Sequence, residues 1–500
     1  MIVRNEGHQL DECLTPIAGL FDEIVVVDTG SQDNTRQVAE RYTSRVFDFP
    51  WCDDFSAARN ESLNHARGNW IFWLDADDRI SPLGAAQLSR LFGTLSEPRQ
   101  AFLMQTVLHQ DDQARDPERV TSHLRLFPRH PTLRWHRRVH EVLKPWPSAL
   151  GHEVIFSDIV IDHLGYRDIR LTQRKLRRNA RLLRMEFAIT PDEPSVLMDL
   201  GSAYAQLGDS IKARDYLRFV LACKPRVPLL ARRAYTTLAE LDLTEGNFSE
   251  AAALLKAALQ EFSEDEYLRY MYSEALYNLG QYSEARTALL SVLHQPRQDA
   301  CFLVGAPRDI RGRLASLALG ELLRVTGELR EAEVILRGAA NARPTDHAAW
   351  FLLGRLYIDW RDSLKLQEIK LRLTEFSNGS IFADTLEALD RFTQGQYLAT
   401  EKCLQEVIGR APGMTLLRVL RAECLHRRNA EPRLQMQACR DILRLQPYNR
   451  RARETLGRLE ALTKNSICCN DVEQAFYMTV VAAPCSTGSA TGFECCIMPQ

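Results

Sequence analysis

The chain has 500 residues, too long for one ordinary domain of about 100 to 200 residues, so two or three folded units are expected. Its residues are 45% hydrophobic and 26% charged, which supports packed cores and excludes a disordered, collagen-like or disulfide-scaffold protein. With 63 Lys and Arg against 65 Asp and Glu the net charge is -2, so no basic field exists to hold a nucleic acid, and any anion site must be local.

The opening Met1-Ile2-Val3-Arg4-Asn5-Glu6 lacks the apolar stretch of a signal peptide. No apolar run reaches the about 18 residues of a membrane span. A cytoplasmic protein with no integral membrane segment is expected.

In chain order, the block from Ile24 to Asp28 followed by Thr29-Gly30-Ser31 reads as a buried parallel strand, and Thr35 to Tyr42 as the helix it feeds. A strand at Arg45 to Phe49, a helix from Asp54 to Ala66 and a strand from Trp70 to Leu74 repeat that pattern. Such alternation predicts a doubly wound α/β sheet with its ligands at the carboxyl ends of the strands. Strands at Ala101 to His109, Ser122 to Pro128, Val154 to Phe156 and Asp158 to His163 close a first domain at residues 1–166.

Residues 167–190 carry Arg170, Arg174, Lys175, Arg177, Arg178, Arg181 and Arg184 among leucines, with no acid between them. This reads as a basic amphipathic linker helix whose charges form a solvated face. Beyond it an internal repeat sets in. Gly246 and Gly280 are 34 positions apart, and Gly327 and Gly395 are twice that, in Gly246-Asn247-Phe248, Leu279-Gly280-Gln281-Tyr282, Thr326-Gly327-Glu328 and Gln394-Gly395-Gln396-Tyr397, each followed within a turn by alanine. With Gly201, Tyr204, Gly208, Ala213 and Pro225 they match the 34-residue tetratricopeptide pattern. A helical solenoid over residues 191–462 is expected, with a concave face suited to a partner and an insertion near Pro296 to Pro307.

The last segment, 463–500, is different: from Asn465 on it has no Lys or Arg yet holds five of the twelve cysteines. A Cys-rich, disordered tail is expected, whereas the other cysteines lie scattered and read mostly as buried thiols.

The chemistry concentrates in Asp75-Ala76-Asp77-Asp78, at the end of the Trp70 to Leu74 strand. Three carboxylates in four positions cannot be core, because a buried unpaired charge costs too much. At a strand's carboxyl end they suit Mg or Mn bound to a diphosphate; an exposed turn of ordinary acids is the plain alternative.

Together with Met1 to Glu6, Val27-Asp28-Thr29-Gly30-Ser31-Gln32-Asp33-Asn34-Thr35 and Asp54-Phe55-Ser56-Ala57-Ala58-Arg59-Asn60, this element resembles the family-two inverting glycosyltransferases of the GT-A fold. The attached repeats are similar to the arrangement in peptide S-glycosyltransferases of the sublancin type. The resemblance implies an α/β GT-A nucleotide-sugar-binding domain followed by an all-α tetratricopeptide-repeat solenoid. It further implies a UDP-sugar donor and a protein or peptide acceptor held by the repeats. By the same resemblance Asn5, Asp28, Arg59 and Asp75 bind the donor, and Asp77 ligates the metal. His163 is a second metal ligand or else a satisfied core histidine. Asp28 has an Asx-turn alternative, Arg59 a surface ion pair.

An inverting transfer needs a carboxylate to take the acceptor's proton. Glu141 leads because its segment, Arg134-Trp135-His136-Arg137-Arg138-Val139-His140-Glu141, resembles the Trp…Val-His-Glu element of related enzymes, with Asp54 or Asp78 as substitutes and a plain salt bridge as the alternative. Trp135 is either an apolar wall for a sugar face or ordinary packing. The competing functional readings are a non-catalytic scaffold with a vestigial α/β unit, and a sensor that binds UDP-sugar without turnover.

Overall fold

The computed structural model describes residues 1–95, 99–110, 119–166, 169–294, 309–376 and 379–464. The expected insertion near Pro296 to Pro307 and the Cys-rich tail lie outside the described residues. Two compact units divide them, one from Met1 to Ala234 and one from Tyr235 onward.

The first unit opens with β1 (Ile2–Val3), α1 (Leu10–Leu14), β2 (Val26–Asp28), α2 (Thr35–Glu40) and β3 (Val46–Asp48). Its β-branched strands pair in parallel in the order β1-β2-β3, with Val3 opposite Asp28 and Asp28 opposite Asp48. Next come α3 (Phe55–His65), β4 (Trp70–Phe72), β5 (Asp78–Arg79), α4 (Pro82–Thr94), β6 (Gln100–Gln110) and β7 (Arg119–Pro128). The hairpin β8 (Arg134–His136) and β9 (Val142–Lys144) precedes the long β10 (Glu153–Tyr166).

These strands build a second, five-stranded sheet in the order β4-β7-β6-β10-β5, in which only β6 and β10 run parallel. The expected doubly wound sheet is therefore two sheets, one parallel and one mixed, because β6 and β7 pair as an antiparallel hairpin rather than crossing over. The two strands expected before and after Ser157 are one strand, interrupted by a register shift between Ser157 and Val160. Helix α4, opened by Ser81-Pro82, is an addition to the elements expected from the sequence. Ser81 Oγ accepts from Gly84 N at 3.1 Å and proline takes the first turn.

The basic stretch is α5 (Ile169–Ile189), followed by α6 (Pro194–Gln206), α7 (Ser210–Ala222) and α8 (Pro228–Glu245). Not all of α5 is a solvated face: Leu182 and Leu183 are fully buried with Val139, Val196 and Leu200. Burial of each such leucine contributes roughly 1.5–3 kcal/mol. At the first repeat, a Cβ on Gly201 would stand 2.7 Å from the Leu217 side chain, so the bare glycine is what lets α6 and α7 pack.

The second unit continues as antiparallel helix pairs to Lys464. Gly208, Gly246, Gly280, Gly327 and Gly395 all adopt positive φ at the ends of first helices, as the repeat requires. Arg361 (φ 57) and Asn429 (φ 50) do the same, each 34 positions after the preceding turn in the series. Of the scattered cysteines, Cys13, Cys424 and Cys439 are buried thiols, whereas Cys52 is exposed.

Candidate active site

The acidic cluster is a tight turn. Asp78 N donates to Asp75 O at 3.1 Å, and Asp75 N donates to Asp78 Oδ2 at 2.9 Å. Asp78 then enters β5 opposite His163 of β10, while Leu164 N donates to Asp77 O at 2.9 Å. Sheet pairing thus carries His163 to the acids from 85 positions away.

The three carboxylates have separate fates. Asp78 contradicts the expectation that none is core: it is 0% exposed. The reason is pairing, since Arg125 Nη1 stands 2.7 Å from Asp78 Oδ2 and also bonds Thr106 Oγ1 through Nη2. Arg125 itself stacks 4.0 Å over the Trp73 ring. Burial works against the charge on Asp78, but Arg125 and His163 outweigh it and hold the carboxyl well below the usual range. So enclosed, Asp78 has no access to an acceptor.

Asp75 meets Arg59, whose Nη2 lies 2.9 Å from Asp75 Oδ1. Arg59 Nε lies 3.1 Å from Glu141 Oε1. The guanidinium is buried between Trp73, at 4.4 Å, and Trp135, at 5.5 Å. It is not a surface ion pair but a clamp between the acidic turn and the Glu141 loop. Helix α3 delivers it: Asp54 caps the first turn, accepting from Ala57 N at 3.1 Å and Ser56 Oγ at 2.7 Å. That cap gives Asp54 a structural task. Next to Arg59, Asn60 bonds both Trp135 N and Trp135 O at 2.8 Å. Trp135 is accordingly packed, at 7% exposure, and offers no open wall to a sugar.

Glu141 follows a strained loop in which Arg137 (φ 82) and His140 (φ 55) are left-handed. Asp199 of α6 holds both, with Arg137 Nη2 at 2.6 Å and His140 Nδ1 at 3.2 Å. Glu186 of α5 accepts from Arg138 N at 3.1 Å. Burial opposes ionisation of Asp199, but His140, Arg233 and Arg137 overcome it and depress its pKa strongly.

Asp77 and His163 face one small volume. A Cβ placed on Gly165 would lie 2.2 Å from Asp77 Oδ2 and 2.8 Å from His163 Nε2, so the missing side chain leaves a cradle between a carboxylate oxygen and an imidazole nitrogen. His163 Nδ1 is 2.9 Å from Asp78 Oδ1, the carboxylate contact that commonly orients a metal-binding imidazole. Ligand atoms of Asp77, Asp78 and His163 lie within 4.8 Å of one another. The set fits a divalent cation held by Asp77 and His163, with Asp78 steering the ring. Burial disfavours the charged imidazole, yet the Asp78 hydrogen bond and the charges of Asp77, Asp78 and Asp75 outweigh it and raise the His163 pKa.

At the end of β2 Asp28 Oδ1 accepts from Gly30 N at 3.0 Å and Ser31 N at 2.8 Å, which is the Asx-turn alternative. Asn5 (φ 56) accepts from Gln32 N at 2.7 Å and donates its own N–H to Ser31 Oγ at 3.0 Å. Asn5 and Asp28 thus brace one loop, while Arg59, Asp75 and Glu141 form one cluster and Asp77 and His163 another. Sequence reasoning missed Arg125, Asp199, Gly165 and Lys175; each acts through tertiary contacts and belongs to no local motif.

Residues 1–164 match the model described as glycosyl transferase family 2, and residues 242–301 a tetratricopeptide repeat model. The first domain is a family 2 glycosyl transferase domain, and tetratricopeptide repeats follow it. The chain is 33% identical over 269 residues to a TPR repeat-containing protein of Synechococcus elongatus, covering 52% of this chain and 65% of that one. It is 28% identical over 235 residues to the glycosyltransferase SunS of Bacillus phage SPbeta, covering 44% and 51%. The chain therefore spans less than two thirds of the length of these relatives. A solved tetratricopeptide repeat protein from Parabacteroides merdae superposes with a TM-score of 0.42 at 14% identity, over 51% of this chain and 94% of that one. Among the described residues no helix is long and apolar enough to cross a membrane.

Proposed function

We propose that this protein is an inverting glycosyltransferase that moves a sugar from a UDP-sugar to a protein or peptide acceptor, with Mg or Mn held by Asp77 and His163. The observation that carries the reading is the convergence of Asp77 Oδ2 and His163 Nε2 on the cradle at Gly165. Beside it Arg59 ties Asp75 to Glu141. Asp77 and His163 would hold a divalent cation in that cradle, where it would supply positive charge against a departing diphosphate.

The chain's own residues do the rest. Asn5 and Asp28 hold the nucleotide, Asp28 through its Oδ2, since Oδ1 closes the Asx turn. Asp75 orients the ribose, and Arg59 keeps Asp75 and Glu141 in register. Glu141 Oε1 is engaged by Arg59, so Oε2 is the oxygen that takes the acceptor's proton. The repeats present the acceptor, as helical solenoids commonly bind extended peptides.

Incubation with Mg or Mn and a panel of UDP-sugars, with UDP release followed for wild type and Asp77→Ala, tests the donor half. Release that the substitution leaves untouched would remove the cation site from the mechanism. Failure to bind any UDP-sugar would favour a scaffold built around the repeats. Intact-mass screening of candidate peptides identifies the acceptor.

A further inference from the structure

Helix α5 carries seven basic side chains between Arg170 and Arg184, and only one of them is a lysine. That lysine turns inward. Lys175 Nζ stands 3.4 Å from Asp77 Oδ2 and 3.1 Å from the Gly165 carbonyl oxygen. Asp77 Oδ2 is the same oxygen that faces the cradle, and Gly165 is the residue whose missing side chain creates it. Glu6 lies close enough to feel both the Asp77 and Lys175 charges. The ammonium therefore occupies the carboxylate that a divalent cation would need.

We propose that Lys175 is a built-in counter-ion for the cation site, neutralising Asp77 while no donor is bound and yielding it when a divalent cation and a nucleoside diphosphate arrive together. This rests on the reading of Asp77 and His163 as cation ligands. The residue type suits an exchangeable partner. Lysine presents a compact point charge on a flexible stem, whereas arginine grips a carboxylate with a planar fork and is harder to displace. The Lys175 side chain is 35% exposed, so it has room to leave. Released from Asp77, the ammonium stays at the rim of the cradle, where the diphosphate's negative charge holds it.

The consequence is coupling: cation binding is weak without nucleotide and tight with it, because the nucleotide takes the competing ammonium away. The test titrates Mn into the full chain without nucleotide, reading free Mn by electron paramagnetic resonance, and then repeats the titration with UDP. Lys175→Met is expected to bind Mn about tenfold more tightly than wild type when UDP is absent, a change of about 1.4 kcal/mol. It should also bind UDP more weakly in the absence of metal. Lys175→Gln, measured beside it, keeps the test intact should the methionine variant fail to fold. Mn affinity unchanged or lowered in these variants, with Asp77→Asn losing Mn altogether, would overturn the role of Lys175 and leave the cation site standing. Absence of Mn binding in wild type and variants, with or without UDP, would remove the cation site itself and the inference with it.

Discussion

Arg59 shows how one side chain can tie distant segments of the chain together. Its two ion pairs join Asp75, just after β4, to Glu141, just before β9, and two tryptophans shield it from water. An arginine that bridges two carboxylates by charge-assisted hydrogen bonds fixes geometry as well as charge. If Glu141 is the base, Glu141→Gln keeps the shape and one acceptor for Arg59 but cannot take a proton. The expected result is a turnover rate reduced by about 10² to 10⁴ with UDP affinity unchanged, read by UDP release and by calorimetric titration. Loss of UDP affinity without loss of turnover would assign Glu141 to the donor instead. Asp75, Asp77 and Asp78 make the complementary point, since adjacent acids of nearly identical chemistry end as a clamp partner, a cradle oxygen and a buried counter-charge.

The repeat turns show the same contrast in the helices. Gly327 N donates to Arg324 O at 3.2 Å and Glu328 N to Leu323 O at 2.8 Å, closing the helix end. Arg361 repeats both bonds, to Ile358 O at 3.1 Å and, through Asp362 N, to Tyr357 O at 3.0 Å. It does so with a side chain, at φ 57, which costs an L-residue about 1 kcal/mol. Arg361→Gly is therefore expected to stabilise the second unit by no more than about 0.6 kcal/mol, once the extra entropy of glycine in the unfolded chain, about 0.4–1 kcal/mol, is deducted. A higher urea midpoint at unchanged slope would show it. The turn glycines were legible because only glycine takes that conformation freely. Arg361 was not, because the neighbouring helices impose it on a residue that does not advertise it, and Asn429, which tolerates it, lacks the glycine that marks the other turns.

For the chain as a whole, the first unit does not end with its sheets. Val139, Trp51 and Phe55 pack with Leu182, Leu183, Val196 and Leu200 of α5 and α6. A fragment of residues 1–166 is expected to expose that cluster and aggregate, whereas one ending after α7, at residue 226, should stay dispersed and unfold cooperatively. Light scattering and thermal melts compare them. Acid response is the second whole-chain property. His123 is pushed down to about 3 by burial and by Arg125, against an ordinary value of 6.5. The stability it contributes is thus full above about pH 6.5 and is lost as pH falls toward 3. His163, with a raised pKa, works the other way: its contribution is full below 6.5 and is lost as pH rises past its folded value. The wild-type curve contains both, so the informative measurement is the difference from His123→Gln. That variant should lose less melting temperature than wild type between about pH 6.5 and 4. Below about pH 4, the depressed carboxyls of Asp78 and Asp199 add their own losses in both proteins.

Local patterns were enough for the order of domains, most strands of the first sheet and the phase of the repeats, because β-branched runs, helix caps and left-handed glycines act within a few residues. They also singled out Asp75, Asp77, Arg59 and Glu141 as candidates, since those side chains sit in short blocks. They could not show that Asp78 is core, that Arg59 faces inward, or that one lysine in a basic helix reaches Asp77. Each of those depends on a partner far away in the chain: Arg125 for Asp78, Glu141 for Arg59 and Asp77 for Lys175. Whether a charge is solvated, paired or ready to be displaced is a matter of distance and burial, and those exist only once the strands and helices have packed.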